Sequence, residues 1–208
     1  MKLCLISDIH GDFAALELVW SHLRKLGVDQ VCCAGDLVGY GPFPDRVAAF
    51  MQEHRIPCVR GNHDRWALSR ALGEPDGFGG GTPSLETREY LKGLPADLVI
   101  EADGKIGVIA HGSPHSDMEF ISRETHSSQM LTQFLDALGC DFLVVGHTHR
   151  PMLYRDPRGR VVLNPGSLIS TACGVSSSRT FAVIETRGLL ATFHDLETAE
   201  LVAVESWS

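Results

Sequence analysis

The chain has 208 residues, of which 44% are hydrophobic and 21% are charged, a composition typical of an ordinary globular protein. This length predicts one domain over residues 1–208 with a sizeable core. The formal net charge of −8 disfavours long nucleic acid as a partner, because proteins hold it largely through basic contacts to phosphate. Apolar stretches fall short of the roughly 20 residues that span a bilayer, and the apolar run at residues 3–6 is too short for a secretion signal. We therefore expect a cytoplasmic protein without a membrane partner.

Strand-like apolar runs alternate with helical patterns over the first two-thirds of the chain. The predicted strands are 2–7, 30–34, 56–60, 105–110 and 141–145, and the predicted helices are 12–26, 45–54, 63–72, 84–92 and 125–138. Strand–helix–strand units of this length predict parallel pairing with right-handed crossovers. Four cysteines, Cys4, Cys32, Cys33 and Cys58, fall in predicted strands, where we expect reduced core thiols.

The pattern changes after Gly146 to short β runs with turn residues between them. These runs are 151–155, 160–163, 179–185, 188–195 and 200–205, and we expect them to form an antiparallel meander that closes a second sheet. The glycine-rich segment at residues 73–83 has two interpretations of equal weight, a cover over the active site or a surface linker.

Five short segments place polar metal ligands directly after the five predicted strands. They are Asp8-Ile9-His10, Gly35-Asp36, Gly61-Asn62-His63-Asp64, His111-Gly112 and Gly146-His147-Thr148-His149. Carboxylate, imidazole and amide ligands without thiolate suit manganese, iron, zinc or magnesium. A folded core does not need polar residues at these points, so packing alone does not explain five such strand ends.

In type and order, these segments resemble the motifs of the calcineurin-like metallophosphoesterases, and within them the small bacterial and archaeal phosphodiesterase branch. The turn at Asn164-Pro165-Gly166-Ser167 is also typical of that branch. The resemblance implies an α/β fold, a four-layer αββα sandwich of two mixed β-sheets flanked by helices. It also implies hydrolysis of a small phosphodiester or phosphomonoester, with a metal-bridging hydroxide as the nucleophile.

The resemblance further implies two divalent metal ions, with manganese expected and iron, zinc, nickel and magnesium as alternatives. The implied ligands are Asp8, His10 and His149 for the first ion, Asn62, His111 and His147 for the second, and Asp36 as the bridge between them. His63 is the implied catalytic acid, which protonates the leaving oxygen. Asp64 has two interpretations: it orients that imidazole in catalysis, or it caps the helix that starts there.

The chain departs from the wider superfamily at the second motif. Protein phosphatases have Gly-Asp-x-x-Asp-Arg-Gly there, and residues 35–42 contain neither the second Asp nor the Arg, which argues against a phosphoprotein phosphatase. The substrate-binding cation is therefore unassigned among Arg60, Arg65, Arg123 and Arg150. Two rival functions are a catalytically silent scaffold on the same fold and a nuclease for short nucleic acids. Whether the chain forms a homo-oligomer is left open.

Overall fold

The computed structural model describes residues 1–74, 78–171, 174, 178–204 and 206–207. The strands are β1 Lys2–Ile6, β2 Gln30–Cys33, β3 Asp97–Ala102, β4 Lys105–Ala110, β5 Phe142–Val144, β6 Pro151–Arg155, β7 Val161–Pro165, β8 Thr180–Glu185, β9 Leu190–Asp195, β10 Leu201–Val202 and β11 Ser206–Trp207. The helices are α1 Phe13–Leu26, α2 Pro44–Glu53, α3 Asn62–Ser69, α4 Leu85–Gly93 and α5 Ser128–Leu138. Among the described residues, no helix is both long and apolar enough to cross a membrane.

The strands form two mixed sheets. The first sheet has the order β10-β9-β8-β1-β2, and the second has the order β11-β6-β7-β5-β4-β3. β1 and β2 pair in parallel, as do β4, β5 and β7 in the second sheet. The prediction that the late β runs form one meander is wrong, because β6 and β7 join the second sheet while β8 and β9 join the first. A local sequence pattern specifies that a strand forms, but the neighbouring strand with which it pairs depends on the rest of the fold.

The sheets pack face to face over an apolar layer that includes Leu5, Ile109, Phe142 and Leu163. On the outer side of the first sheet, helices α1, α2 and α4 contribute core side chains such as Leu16, Met51 and Leu91. Helix α5 covers the second sheet with Leu131 and Leu135. Helix, sheet, sheet and helix are therefore stacked in four layers, which confirms the predicted sandwich.

The structure differs from the sequence-based prediction at residues 56–60 and at strand β3. Residues 56–60 form no regular strand, and only Cys58 makes a β-bridge, to Cys33; Pro57 has no N–H with which to extend a ladder. Strand β3 was not predicted, although it pairs with β4 along its whole length. Its turn, Asp103-Gly104, has φ of 53° and 73°, the positive values of a tight hairpin turn.

Helix ends follow the local sequence closely. The carboxylate of Asp12 accepts the backbone N–H of Ala15 at 3.1 Å and caps α1. Gly27 ends α1 and Gly139 ends α5, both in the left-handed conformation that glycine adopts without steric cost. The predicted helices are confirmed with ends shifted by up to three residues, consistent with how loosely propensity defines a terminus.

A substitution at Gly107 would test how tightly the core between the sheets is packed. The ring of the fully buried Phe142 occupies the space that a Cβ at Gly107 would need. We expect Gly107→Ala to lower the free energy of unfolding by about 1–3 kcal/mol, the usual cost of overpacking a core. Urea denaturation measures this loss. The control Gly93→Ala adds the same methyl where nothing lies within 4 Å, and equal midpoints for both variants would contradict the packing argument.

Candidate metal centre

The predicted ligands meet where the carboxyl ends of β1, β2, β4 and β5 approach one another. Five of them have a positive φ, at Asp8 (54°), His10 (52°), Asp36 (55°), His147 (66°) and His149 (58°). This left-handed conformation is uncommon for residues with a side chain and concentrates at functional sites. The chain therefore turns sharply at each strand end, and those turns direct the ligands to one place.

The first group of ligands is Asp8, His10 and His149. Nε2 of His10 and Nε2 of His149 lie 3.0 Å apart, and Oδ1 of Asp8 lies 3.6 Å from the first and 3.3 Å from the second. The other ring nitrogen of His10, Nδ1, donates to the carbonyl of Val38 at 3.0 Å, since a carbonyl can only accept. Nε2 of His10 is thereby left with a lone pair that faces the group, as in a metal-binding histidine.

The second group is formed by Asp36, Asn62, His111 and His147. Nε2 of His111 lies 2.9 Å from Oδ1 of Asn62 and 3.2 Å from Oδ2 of Asp36. Nδ1 of His111 donates to the carbonyl of Ala34 at 2.7 Å, which again leaves Nε2 to face the group. The ring of His147 lies 5.3 Å from that of His111, centroid to centroid. Asp36 also faces the first group, since its Oδ2 lies 3.7 Å from Nε2 of His10.

Unpaired polar atoms at the site fit metal ions. Oδ1 of Asp8 and Nε2 of His147 are buried and have no hydrogen-bond partner among the described residues. The other oxygen of Asp8 accepts the backbone N–H of His147 at 3.0 Å, so the carboxylate is held with one oxygen free. A buried polar atom without a partner costs about 1–3 kcal/mol. Each group contains one such atom and otherwise consists of oxygen and nitrogen ligands. A divalent cation bound in each group would satisfy these atoms.

Without a cation, the imidazole of His111 and the buried carboxylate of Asp36 stabilise each other's charged forms. Burial opposes ionisation of Asp36, but the charge and hydrogen bond of His111 lower its pKa to about 2. Burial likewise disfavours the imidazolium of His111, but the charge of Asp36 raises its pKa to about 10. The pKa of Asp8 is also lowered, against burial, by His10 and His149. The proton on His111 thus occupies the role that a metal ion would take beside Asp36.

Asp64 lies behind the ligands and supports them. Its two carboxylate oxygens accept four backbone N–H groups, from Asp36 (3.0 Å), Leu37 (2.8 Å), Val38 (3.1 Å) and Gly61 (2.9 Å). The bond to Gly61 caps α3, which is the second of the two predicted roles. No hydrogen bond links Asp64 to the imidazole of His63 in the part of the chain that the structure describes.

The start of α3 fixes the carboxylate of Asp36. Oδ1 of Asp36 accepts the backbone N–H of His63 at 2.8 Å, at the positive end of the helix dipole. Gly61 is required for this approach, because a Cβ there would collide with the carboxylate of Asp36. The turn at Asn164–Ser167 supports the centre from the other side. The Nδ2 of Asn164 donates to the carbonyl of Gly146 at 2.6 Å, and the hydroxyl of Ser167 donates to the carbonyl of Asp8 at 2.9 Å.

His63 lies beside the first group. Its ring is 4.7 Å from that of His10, centroid to centroid. Burial lowers the pKa of His63 to about 4, although the charge of Asp36 opposes this shift. The imidazole of the free protein is therefore neutral at neutral pH, and an anion bound beside it would favour the protonated form.

Aromatic side chains surround His63, and the sequence analysis did not identify them. The rings of Tyr40, Trp66 and Phe78 lie 4.8, 4.8 and 4.5 Å from the His63 ring, centroid to centroid. Phe78 belongs to the glycine-rich segment, of which residues 75–77 lie outside the described residues. The position of Phe78 beside His63 favours the first of the two interpretations of this segment, a cover over the site, over the second, a surface linker. The sequence offered a signal for two of these residues, because Tyr40 and Phe78 lie in glycine-rich stretches beside the motifs.

The four arginines that the sequence analysis left as candidates for binding the substrate have different surroundings in the structure. Arg65 makes a two-point ion pair with Asp117 at 2.6 and 3.0 Å, so its guanidinium is engaged. Arg123 and Arg150 line a cavity of about 260 Å³ next to the His147–His149 turn. Arg60 lines a cavity of about 140 Å³ that also reaches His111.

Known proteins are similar to this chain in sequence and in fold. A probable metallophosphoesterase of Methanothermobacter thermautotrophicus is 28% identical over 173 residues, covering 80% of this chain and 77% of that protein. An uncharacterized protein of Methanocaldococcus jannaschii is 24% identical over 201 residues, covering 85% and 79%. The crystal structure of a metallophosphoesterase from Sphaerobacter thermophilus matches with a TM-score of 0.74 and 24% identity, covering 99% of this chain and 90% of that one.

The sequence model of the calcineurin-like phosphoesterase superfamily domain matches residues 1–188. That range contains all five motifs and every strand from β1 to β8. The chain therefore belongs to the calcineurin-like phosphoesterase superfamily.

Proposed function

We propose that the protein is a metal-dependent phosphoesterase with two metal ions, acting on a small phosphodiester or, as the alternative, a phosphomonoester. The observation that carries the proposal is a pair of buried ligand groups, both faced by Asp36. Each group has one atom, Oδ1 of Asp8 or Nε2 of His147, without a hydrogen-bond partner among the described residues. Two divalent ions, when bound, supply positive charge for the phosphoryl oxygens and make water nucleophilic at neutral pH.

The contacts of Asp36 support its assignment as the shared ligand. Its Oδ1 is occupied by the backbone N–H of His63, whereas its Oδ2 faces His10 of one group and His111 of the other. One oxygen directed at both groups is consistent with a carboxylate that the two groups share. Asp64 is then a positioning residue, because it holds the backbone of residues 36–38 in place.

We assign proton donation to the leaving oxygen to His63. The imidazole borders the first ligand group, and its backbone N–H is tied to Asp36, so the side chain is fixed relative to the centre. All eight motif positions with chemical roles, the seven ligands and His63, are intact and lie together. This supports catalysis over a silent scaffold, which would be free to lose them.

The first prediction concerns metal-dependent turnover. Metal-stripped protein should hydrolyse a chromogenic phosphodiester or its monoester once manganese, iron, zinc, nickel or magnesium is restored. Asp36→Asn keeps the shape but removes the charge of the shared ligand, so we expect at least a 100-fold loss of turnover, the scale of a lost catalytic group, and fewer bound ions per chain.

The matched control for this experiment is Asp29→Asn. Asp29 is exposed near the opposite end of β1, where it accepts the N–H of Lys2. That variant loses the same charge and should retain metal content and turnover. An Asp36→Asn protein with normal turnover would contradict the shared-ligand assignment.

The second prediction separates His63 from the ligands. His63→Ala should keep the wild-type metal content and lose about 100- to 10,000-fold in turnover of substrates with poor leaving groups, the range for a lost general acid. Substrates with good leaving groups need little protonation and should lose far less. His115→Ala is the control, because His115 packs on Phe134 in the loop after His111. Loss of metal from His63→Ala would reassign His63 as a ligand.

A further inference from the structure

Three aromatic side chains from separate parts of the chain form one patch beside His63, the aromatic patch of Tyr40, Trp66 and Phe78. Within it, Trp66 and Phe78 stack at 5.4 Å with 19° between their planes, and Tyr40 meets Phe78 edge-on at 5.5 Å. Tyr40 also packs edge-on against His10 at 4.9 Å. The patch therefore reaches from the first ligand group past the candidate acid to the surface.

The patch is held in place from three directions. Trp66 lies on α3, one turn after His63. Tyr40 lies in the loop after Asp36. The segment that carries Phe78 is attached to this loop, because the N–H of Gly81 donates to the carbonyl of Gly41 at 2.9 Å. The aromatic patch is thus a fixed part of the site.

Exposure distinguishes the patch from a piece of core. Phe78 is 37% exposed, and Trp66 and Tyr40 are half-buried, whereas the large side chains between the sheets are fully buried. Apolar rings that stay open to solvent at the mouth of a site are typical of binding surfaces. Trp66 and Phe78 already contact each other, so there is no room for a third ring between them. A ligand would lie on the part of these side chains that is exposed to solvent.

The position of the patch identifies which part of a substrate it meets. An acid that protonates the leaving oxygen must lie within hydrogen-bond reach of it. The surroundings of His63 are therefore the surroundings of the leaving group. We propose that the aromatic patch stacks on a planar aromatic leaving group, such as an aryl or nucleobase-bearing alcohol, and selects substrates by it. This inference rests on the proposed function and on the role of His63 within it.

Two pairs of compounds test the inference on the manganese-loaded protein. Benzylphosphonate and cyclohexylmethylphosphonate match in size and resist hydrolysis, so calorimetry compares a planar with a non-planar group. We expect the planar compound to bind about 2- to 12-fold more tightly, the usual gain from aromatic pairing. Methyl phosphodiesters of phenol and of an equally acidic fluorinated aliphatic alcohol should show the same preference in kcat/KM.

Substitutions that keep the apolar surface but remove the ring sharpen the test. Trp66→Leu and Phe78→Leu should each reduce both preferences towards unity. Phe120→Leu is the matched control: Phe120 is 54% exposed and its ring lies 4.3 Å from His147, in the other ligand group. That variant should keep both preferences. Two independent variants guard against local misfolding in either one, which the unfolding midpoint would reveal.

The outcomes separate the inference from the proposed function. Equal binding of the two phosphonates by the wild type would overturn the inference and leave the patch as packing around His63. A preference that Phe120→Leu abolishes and the patch variants retain would overturn it too. Absence of turnover with every metal would refute the proposed function, and the phosphonate comparison would still decide whether the patch binds planar groups.

Discussion

The burial of two carboxylates, Asp8 and Asp36, is the constraint on which the rest of the site depends. Both are essentially inaccessible to solvent, and a buried charge without compensation costs several kcal/mol. Imidazoles face them from both sheets, and the N-terminus of α3 faces Asp36. Oδ1 of Asp8 nevertheless has no hydrogen-bond partner among the residues that the structure describes, although Nε2 of His149 lies 3.3 Å away. The surrounding structure is therefore built to hold negative charge in position for a cation, at a cost to the stability of the metal-free protein.

The same constraint links the ligand geometry to the packing of the two sheets. The first sheet leads into Asp8, His10 and Asp36, and the second leads into His111 and the His147 turn. Neither ligand group is complete on one sheet, because His149 joins Asp8 and Asp36 faces His111. The apolar layer between the sheets thus sets the distances within the metal centre. Left-handed backbone at five ligands is tolerated because this packing holds the strand ends rigidly.

The candidate ligands can be recognised in the sequence because each is a polar residue at the end of an apolar run, and the structure brings these residues together. The partition of β6 to β9 between two sheets depends on long-range pairing, which no local pattern contains. Strand β3 was missed although its turn, Asp103-Gly104, carries a recognisable hairpin signal. The aromatic patch was missed for another reason, although Tyr40 and Phe78 lie in glycine-rich stretches. Its members stand 12 to 38 positions apart on loops and a helix, and only the folded chain brings Tyr40 and Phe78 to His63.

Under the proposed function, the metal ions would supply the positive charge that holds the phosphate. Two divalent ions against two carboxylates would leave a net charge of about +2, since amide and imidazole groups bind metals as neutral ligands. Arg65, the arginine nearest in sequence to His63, is engaged with Asp117. Attraction of this kind is common to every phosphate ester and cannot distinguish one from another. Discrimination would then fall to groups that contact the rest of the substrate, and the rings of Trp66 and Phe78 lie beside the candidate acid.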